Sequence, residues 1–166
     1  MNPLFIAHII GDFLLQPKWL VDMKQRGLRG ILLHSTVHAV VMLMLIFPEN
    51  VGVLLCIMAI AAAHGVIDQL KINYGKCHSM LSMPFLLDQA LHLLTLITAS
   101  VFFPFTNAFW IGETGKGVLA VLFFFSFAMA WWNMSSIAPI KRFALISITF
   151  SMFAIPALIF LTPAYS

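Results

Sequence analysis

Charge is scarce in this chain: 9% of its residues are Asp, Glu, Lys or Arg, against about 25% in soluble domains. With 61% hydrophobic residues and a mean hydropathy of +0.99, that scarcity excludes a soluble domain with a solvated surface and predicts an integral membrane protein. Cysteine is nearly absent. Cys56 falls in an apolar run and Cys77 in a loop, so free thiols are expected and no disulfide framework. Cys77 and His78 are adjacent and read either as a loop metal site or as a plain cytosolic pair. The formal charge is only +3, and no basic run or basic–aromatic interleaving occurs, so no nucleic-acid partner is expected. The opening stretch, MNPLFIAHIIGDFLLQ, has no positive n-region and carries His8 and Asp12 inside its apolar run, unlike a secretory signal peptide. No H-E-x-x-H occurs, and Glu49 and Glu113 fall between apolar runs, which argues against a zinc protease of that type.

Six apolar segments are present, at about 3–16, 31–47, 51–71, 84–104, 117–133 and 143–162. The fold class they predict is all-α: a polytopic membrane helix bundle of about six transmembrane or partly inserted helices, forming one domain over residues 1–166. The first segment is too short to cross a hydrocarbon core of about 30 Å alone, and Pro17 is expected to end it. Residues 18–30, KWLVDMKQRGLRG, mix apolar and basic side chains and read as a short interfacial segment. Eight of the nine Lys and Arg residues fall in the first, third and fifth loops. The positive-inside rule makes that side cytoplasmic, in what is expected to be a bacterial inner membrane. Residues 106–116 read as an external turn.

Within the first 92 residues, two metal-ligand side chains stand four apart on four occasions: His8 and Asp12, His34 and His38, His64 and Asp68, and Asp88 and His92. Four residues is about one helical turn, so each pair occupies one face of one helix. An ionisable group in a membrane costs about 2.5–3.5 kcal/mol on insertion scales, so eight in matched pairs call for a shared polar site. The expected topology puts every pair in the cytoplasmic leaflet. His8, His38, His64 and His92 form a deeper layer, and Asp12, His34, Asp68 and Asp88 a shallower one. The segments after residue 95 hold no ionisable core residue and read as apolar scaffold over 96–166, with Ser126, Ser147, Thr149 and Ser151 as mild polar contacts. Trp131 and Trp132 suit an interfacial belt. Gly11 and Gly65, beside Asp12 and His64, predict close helix approach.

Imidazole nitrogens and carboxylate oxygens bind zinc, manganese and iron. The donors available exceed what one tetrahedral zinc needs and suit one or two divalent ions, with some of the eight residues serving instead as hydrogen-bond supports for the ligands. The candidate ligands are His8, Asp12, His34, His38, His64, Asp68, Asp88 and His92, with Asp12, Asp68 and Asp88 also candidates for a general base. Gln16 continues the His8–Asp12 face, Gln69 and Gln89 each follow an aspartate, and Ser35 and Thr36 lie beside His34. Gln16, Gln89 and Lys71 are candidates for substrate contact. Lys71 either steadies an anion during catalysis or is an ordinary snorkelling lysine.

H-x-x-G-D-F-x-L-Q at 8–16, H-x-x-x-H at 34–38, H-x-x-x-D-Q-x-K at 64–71 and D-Q-x-x-H at 88–92 resemble the small bacterial and phage membrane proteins grouped as domain of unknown function 3307. The resemblance covers roughly residues 4–95 and implies that these positions form the site; it implies no activity. The pattern is also similar in style to predicted membrane-bound metal-dependent hydrolases. The function expected is therefore metal-assisted hydrolysis of a phosphoester or acyl bond in a lipid or lipid-linked substrate. The alternatives are a metal-ion or proton transporter or channel, a haem or di-iron redox protein, and a subunit whose polar cluster only fixes helix packing.

Overall fold

A computed structural model describes residues 2–74, 83–103, 105–107, 113–133 and 138–159. Cys77 and His78 lie outside the described residues. The described elements are helical apart from one small antiparallel pairing: α1 (Pro3–Ile9), a π-helical turn (Ile10–Leu14), α2 (Lys18–Arg26), α3 (Leu28–Leu45), β1 (Ile46–Phe47), α4 (Val51–Tyr74), α5 (Met83–Phe102), β2 (Thr106–Asn107), α6 (Glu113–Asn133) and α7 (Pro139–Ile159). β1 pairs with β2, Ile46 opposite Asn107 and Phe47 opposite Thr106.

α1 is the centre of the bundle. Every residue from Pro3 to Ile9 is buried, and the helix contacts α3, α5, α6 and α7. A helix apolar on all sides needs such an enclosure. Pro3 supplies a ready first-turn φ, and the Asn2 side chain accepts from the Leu4 amide at 3.0 Å. The Asn2 amide also donates to Ser100 Oγ on α5 at 3.1 Å, which ties the capped end to a neighbour.

The chain leaves the π-helical turn before Pro17 and bends by 90° into α2. α2 buries Leu20 and exposes Trp19, as a surface helix does. Gly27, at φ 148°, then reverses the chain in a region of backbone space open essentially to glycine. Residues 28–30, expected in the interfacial segment, are the first turn of α3 instead. A Cβ on Gly30 would collide with the backbone of Met23 and Lys24, so α2 lies directly on α3.

Among the described residues, α3 and α4 are long and apolar enough to cross a membrane, and a third span is reached only if the bent pair of α1 and its π-helical turn with α2 counts as one. That fits an all-α membrane protein, with two to three spans seen among the described residues where about six transmembrane or partly inserted helices were expected. The hydropathy of the first segment belongs to a helix enclosed by protein, whereas α5, at 20 residues, is about as long as a span needs. Several boundaries also shift. α6 begins at Glu113, so residues 113–116 are helical and not loop, and Lys141 and Arg142 lie in the first turn of α7. Leu32, Met44, Leu55, Phe102, Phe124 and Ile140 are exposed, an apolar surface of the kind lipid covers. Trp132 is exposed, while the Trp131 ring lies 4.7 Å beneath the Arg142 guanidinium.

Candidate metal centre

The π-helical turn sets the geometry. Its extra residue per turn is marked by the Leu15 amide donating to the Ile10 carbonyl at 2.9 Å, and such turns recur at functional sites. It carries Asp12 into the midst of the histidines. His34 Nε2 and His38 Nε2 lie 3.0 and 3.1 Å from Asp12 Oδ1, His64 Nε2 lies 3.5 Å from the same oxygen, and His8 Nε2 is 3.4 Å from Oδ2. Four imidazoles from three helices thus aim the same ring nitrogen at one carboxylate.

Two glycines permit this approach. A Cβ on Gly11 would stand 2.5 Å from the His38 ring, and one on Gly65 would stand 2.5 Å from Ser35 Oγ. α1 and its π-helical turn therefore press against α3, and α3 against α4, at the level of the histidines, as the sequence predicted.

The four histidines expected in a deeper layer are linked by ring contacts, and His34 of the expected shallower set joins them, 4.7 Å from His38 and 5.0 Å from His64. Centroid separations are 5.4 Å for His8–His38, 5.4 Å for His8–His64, 5.1 Å for His8–His92, 3.8 Å for His38–His64 and 4.3 Å for His64–His92. Phe153 of α7 closes over His8 at 4.4 Å. Beside these rings is a cavity of about 10 Å³, the volume that holds one water-sized particle. Its polar lining is His8, His38, His64, His92 and Thr95, and its apolar lining includes Met42, Ile60 and Leu96.

The remaining carboxylates, Asp68 and Asp88, lie beside this ring cluster. Asp68 Oδ2 lies 3.6 Å from His64 Nε2 and 3.7 Å from His34 Nε2, and Lys24 Nζ reaches it at 2.6 Å. Asp88 Oδ2 accepts from Lys71 Nζ at 2.6 Å and from the Gln89 amide at 3.0 Å. His92 Nδ1 donates to the Asp88 backbone carbonyl at 2.9 Å, because that oxygen can only accept. The bond fixes the tautomer and leaves the Nε2 lone pair of His92 for another partner.

The donor set fits a metal. Buried Nε2 atoms of His8, His64 and His92 make no hydrogen bond, nor does Asp88 Oδ1. Asp12, His34, His38 and His64 can each present one ligand atom with all four within 4.8 Å of one another, and so can His64, Asp68 and His92. The first group has the three-imidazole, one-carboxylate composition of a tetrahedral site, and the second has the two-imidazole, one-carboxylate composition that leaves positions open. His64 belongs to both.

All eight paired residues therefore converge. Gln16 joins them, with its amide nitrogen 2.9 Å from His34 Nε2, as do Gln89 and Lys71 through Asp88. Gln69 and Thr36 do not: Gln69 donates to Asn73 on the exposed side, and Thr36 to the Leu32 carbonyl. Sequence reasoning missed Lys24, counted only as a topology charge, together with Thr95 and Phe153.

A family model described as "Protein of unknown function (DUF3307)" matches residues 1–114. The chain belongs to that family. The match spans α1 through α5, so every residue of the cluster except Phe153 falls within the family region. No curated protein and no solved structure matches the chain. The likeness in style to metal-dependent hydrolases is thus not joined by a match, and the chemistry of the site is argued from its own geometry.

Proposed function

We propose that this family member is a metal-dependent hydrolase of the bacterial cytoplasmic membrane, with its site at the cytoplasmic leaflet. It acts on a phosphoester or acyl bond of a lipid or lipid-linked substrate. One observation carries the reading: three buried Nε2 atoms, on His8, His64 and His92, lack hydrogen-bond partners beside an ion-sized cavity and three carboxylates. A cluster serving only helix packing would pair those nitrogens, since each buried unpaired polar group costs about 1–3 kcal/mol.

Asp12, His34, His38 and His64 would hold one divalent ion, zinc by donor type or else manganese or iron, and Asp68 and His92 would help to hold a second, His64 serving one ion at a time because a neutral imidazole has one lone pair to give. When bound, such ions supply Lewis acidity and make water a competent nucleophile near neutral pH. Asp88, held by Lys71 and Gln89, orients His92 through its own backbone carbonyl and keeps a second oxygen in reserve as a proton acceptor. The exposed apolar faces of α3 and α4 offer a lipid substrate lateral access. The cavity lining turns apolar at Met42, Ile60 and Leu96, which counts against a conduit for ions.

Elemental analysis of the detergent-purified chain tests this, beside folded His64→Ala and Asp88→Ala variants, followed by assays on phospholipid and lipid-phosphate substrates. One or two equivalents of metal are expected, with metal-dependent hydrolysis that falls in the variants. A chain that takes up no divalent metal after reconstitution refutes the reading.

A further inference from the structure

Two ammonium groups reach the carboxylates of this cluster from separate elements. Lys24, on the surface helix α2, lies 2.6 Å from Asp68 Oδ2, and Lys71, in the last turn of α4, lies 2.6 Å from Asp88 Oδ2. Asp68 shares a donor group with His64 and His92, while Asp88 fixes His92. Lys24 is 11% exposed and Lys71 38%, so the pair stands between the buried donors and the outside.

The charge count has a direction. Asp12, Asp68 and Asp88 against Lys24 and Lys71 leave one net negative charge. One divalent ion turns this into one positive charge, and two ions into three. Such an excess is costly where water is scarce, and a ligand of opposite sign relieves it. A neutral acyl ester brings no charge; a phosphate ester brings one or two negative ones. An ion binding Asp68 also competes with Lys24 for the carboxylate, and the displaced ammonium stays tethered beside the site.

We propose that Lys24 and Lys71 form an anion clamp, so that the ligand of the loaded site is a phosphate ester held through its phosphoryl oxygens by both ammonium groups. This rests on the metal-centre reading and narrows it from phosphoester or acyl bond to phosphoester. Lys24 hands over from Asp68 to the anion as metal binds, which couples metal loading to ligand binding. Ammonium–phosphate contacts are charge-assisted and among the strong hydrogen bonds.

The experiment uses the full chain in phosphatidylcholine vesicles, with and without zinc, metal content being counted independently. Inorganic phosphate is titrated by calorimetry, and the thermal midpoint is compared in vesicles doped with phosphatidic acid or with diacylglycerol. Phosphate or phosphatidic acid is expected to bind the zinc-loaded chain at least about tenfold more tightly than the metal-free one. The double variant Lys24→Gln, Lys71→Gln is expected to lose about tenfold or more in that affinity with metal stoichiometry unchanged, and Lys→Arg replacements to recover most of it. Binding of both probes assigns the site to the phosphoryl group itself, and binding of phosphatidic acid alone to an embedded headgroup; either supports the clamp. A metal-loaded wild type indifferent to both probes, an equal response to diacylglycerol, or undiminished binding by a folded double variant overturns it while leaving the metal centre standing. Absence of metal from the wild type overturns both. Should the glutamine variants fail to fold, the metal dependence of wild-type binding and the arginine variants still decide the question.

Discussion

Gly11→Ala probes the close approach on which the centre depends. The added Cβ would lie 2.5, 2.6 and 2.8 Å from Cε1, Nε2 and Nδ1 of His38, where carbon contacts settle at about 3.5–4.0 Å. The ring must therefore retreat by about 1 Å. It has little room, being 2% exposed and flanked by His34 and His64 at centroid distances of 4.7 and 3.8 Å. Among the described residues only Gly27 has a positive φ, so alanine at position 11 meets no backbone penalty and the contact alone is tested. Overpacking of this kind costs about 1–3 kcal/mol, and shifting a ligand or its support lowers metal affinity by about 10- to 100-fold. Zinc competition against a chromophoric chelator, with thermal melts in detergent, measures both. A Gly11→Ala protein that matches the wild type in melting and in zinc affinity would refute the placement of α1 and its π-helical turn against α3.

Three further outcomes follow from the same geometry. His64 belongs to both donor groups and His92 to one, so elemental analysis should find less metal in His64→Ala whichever group holds the ion, and less in His92→Ala where the second group does; unchanged metal in a folded His64→Ala protein would refute both groups. Gly65→Ala would set a Cβ 2.5 Å from Ser35 Oγ, whereas Ser35 Cβ is 3.6 Å away, so adding Ser35→Ala should restore most of a loss of about 1–3 kcal/mol, and an additive double-mutant cycle would contradict the contact. Gly27→Ala forces a side chain onto φ 148° and should cost about 1–3 kcal/mol in thermal or denaturant unfolding, with no loss meaning that α2 does not turn into α3 in this way.

Much of the site was legible because the period of a helix is legible. Residues four apart inside apolar runs must share a face, and the four pairs do meet in one cluster, while the two layers forecast from the alternating order of His and Asp are bridged by Asp12 and by His34, whose ring lies 4.7 Å from His38 and 5.0 Å from His64. Three things were not. Lys24 approaches Asp68 across 44 positions of sequence, and nothing local distinguishes a lysine that folds back from one that faces headgroups. The π-helical turn depends on which carbonyl the Leu15 amide chooses, a difference of one residue that composition does not encode. Phe153 reads as lipid-facing or as core with equal ease, since an apolar side chain satisfies both. The first segment makes a related point: hydropathy measures how apolar a segment is, not whether lipid or protein surrounds it, and α1 is surrounded by protein.

That enclosure fixes an order of assembly. At seven residues, α1 is about 10 Å long, too short for the insertion machinery to treat as a membrane segment. Its neighbours include α7, more than 130 positions further along the chain. α1 therefore reaches its full surroundings only after α7 has been made. The imidazoles and carboxylates of the cluster lie between His8 and His92, so what α7 adds so late is apolar cover, with Phe153 lying 4.4 Å from His8.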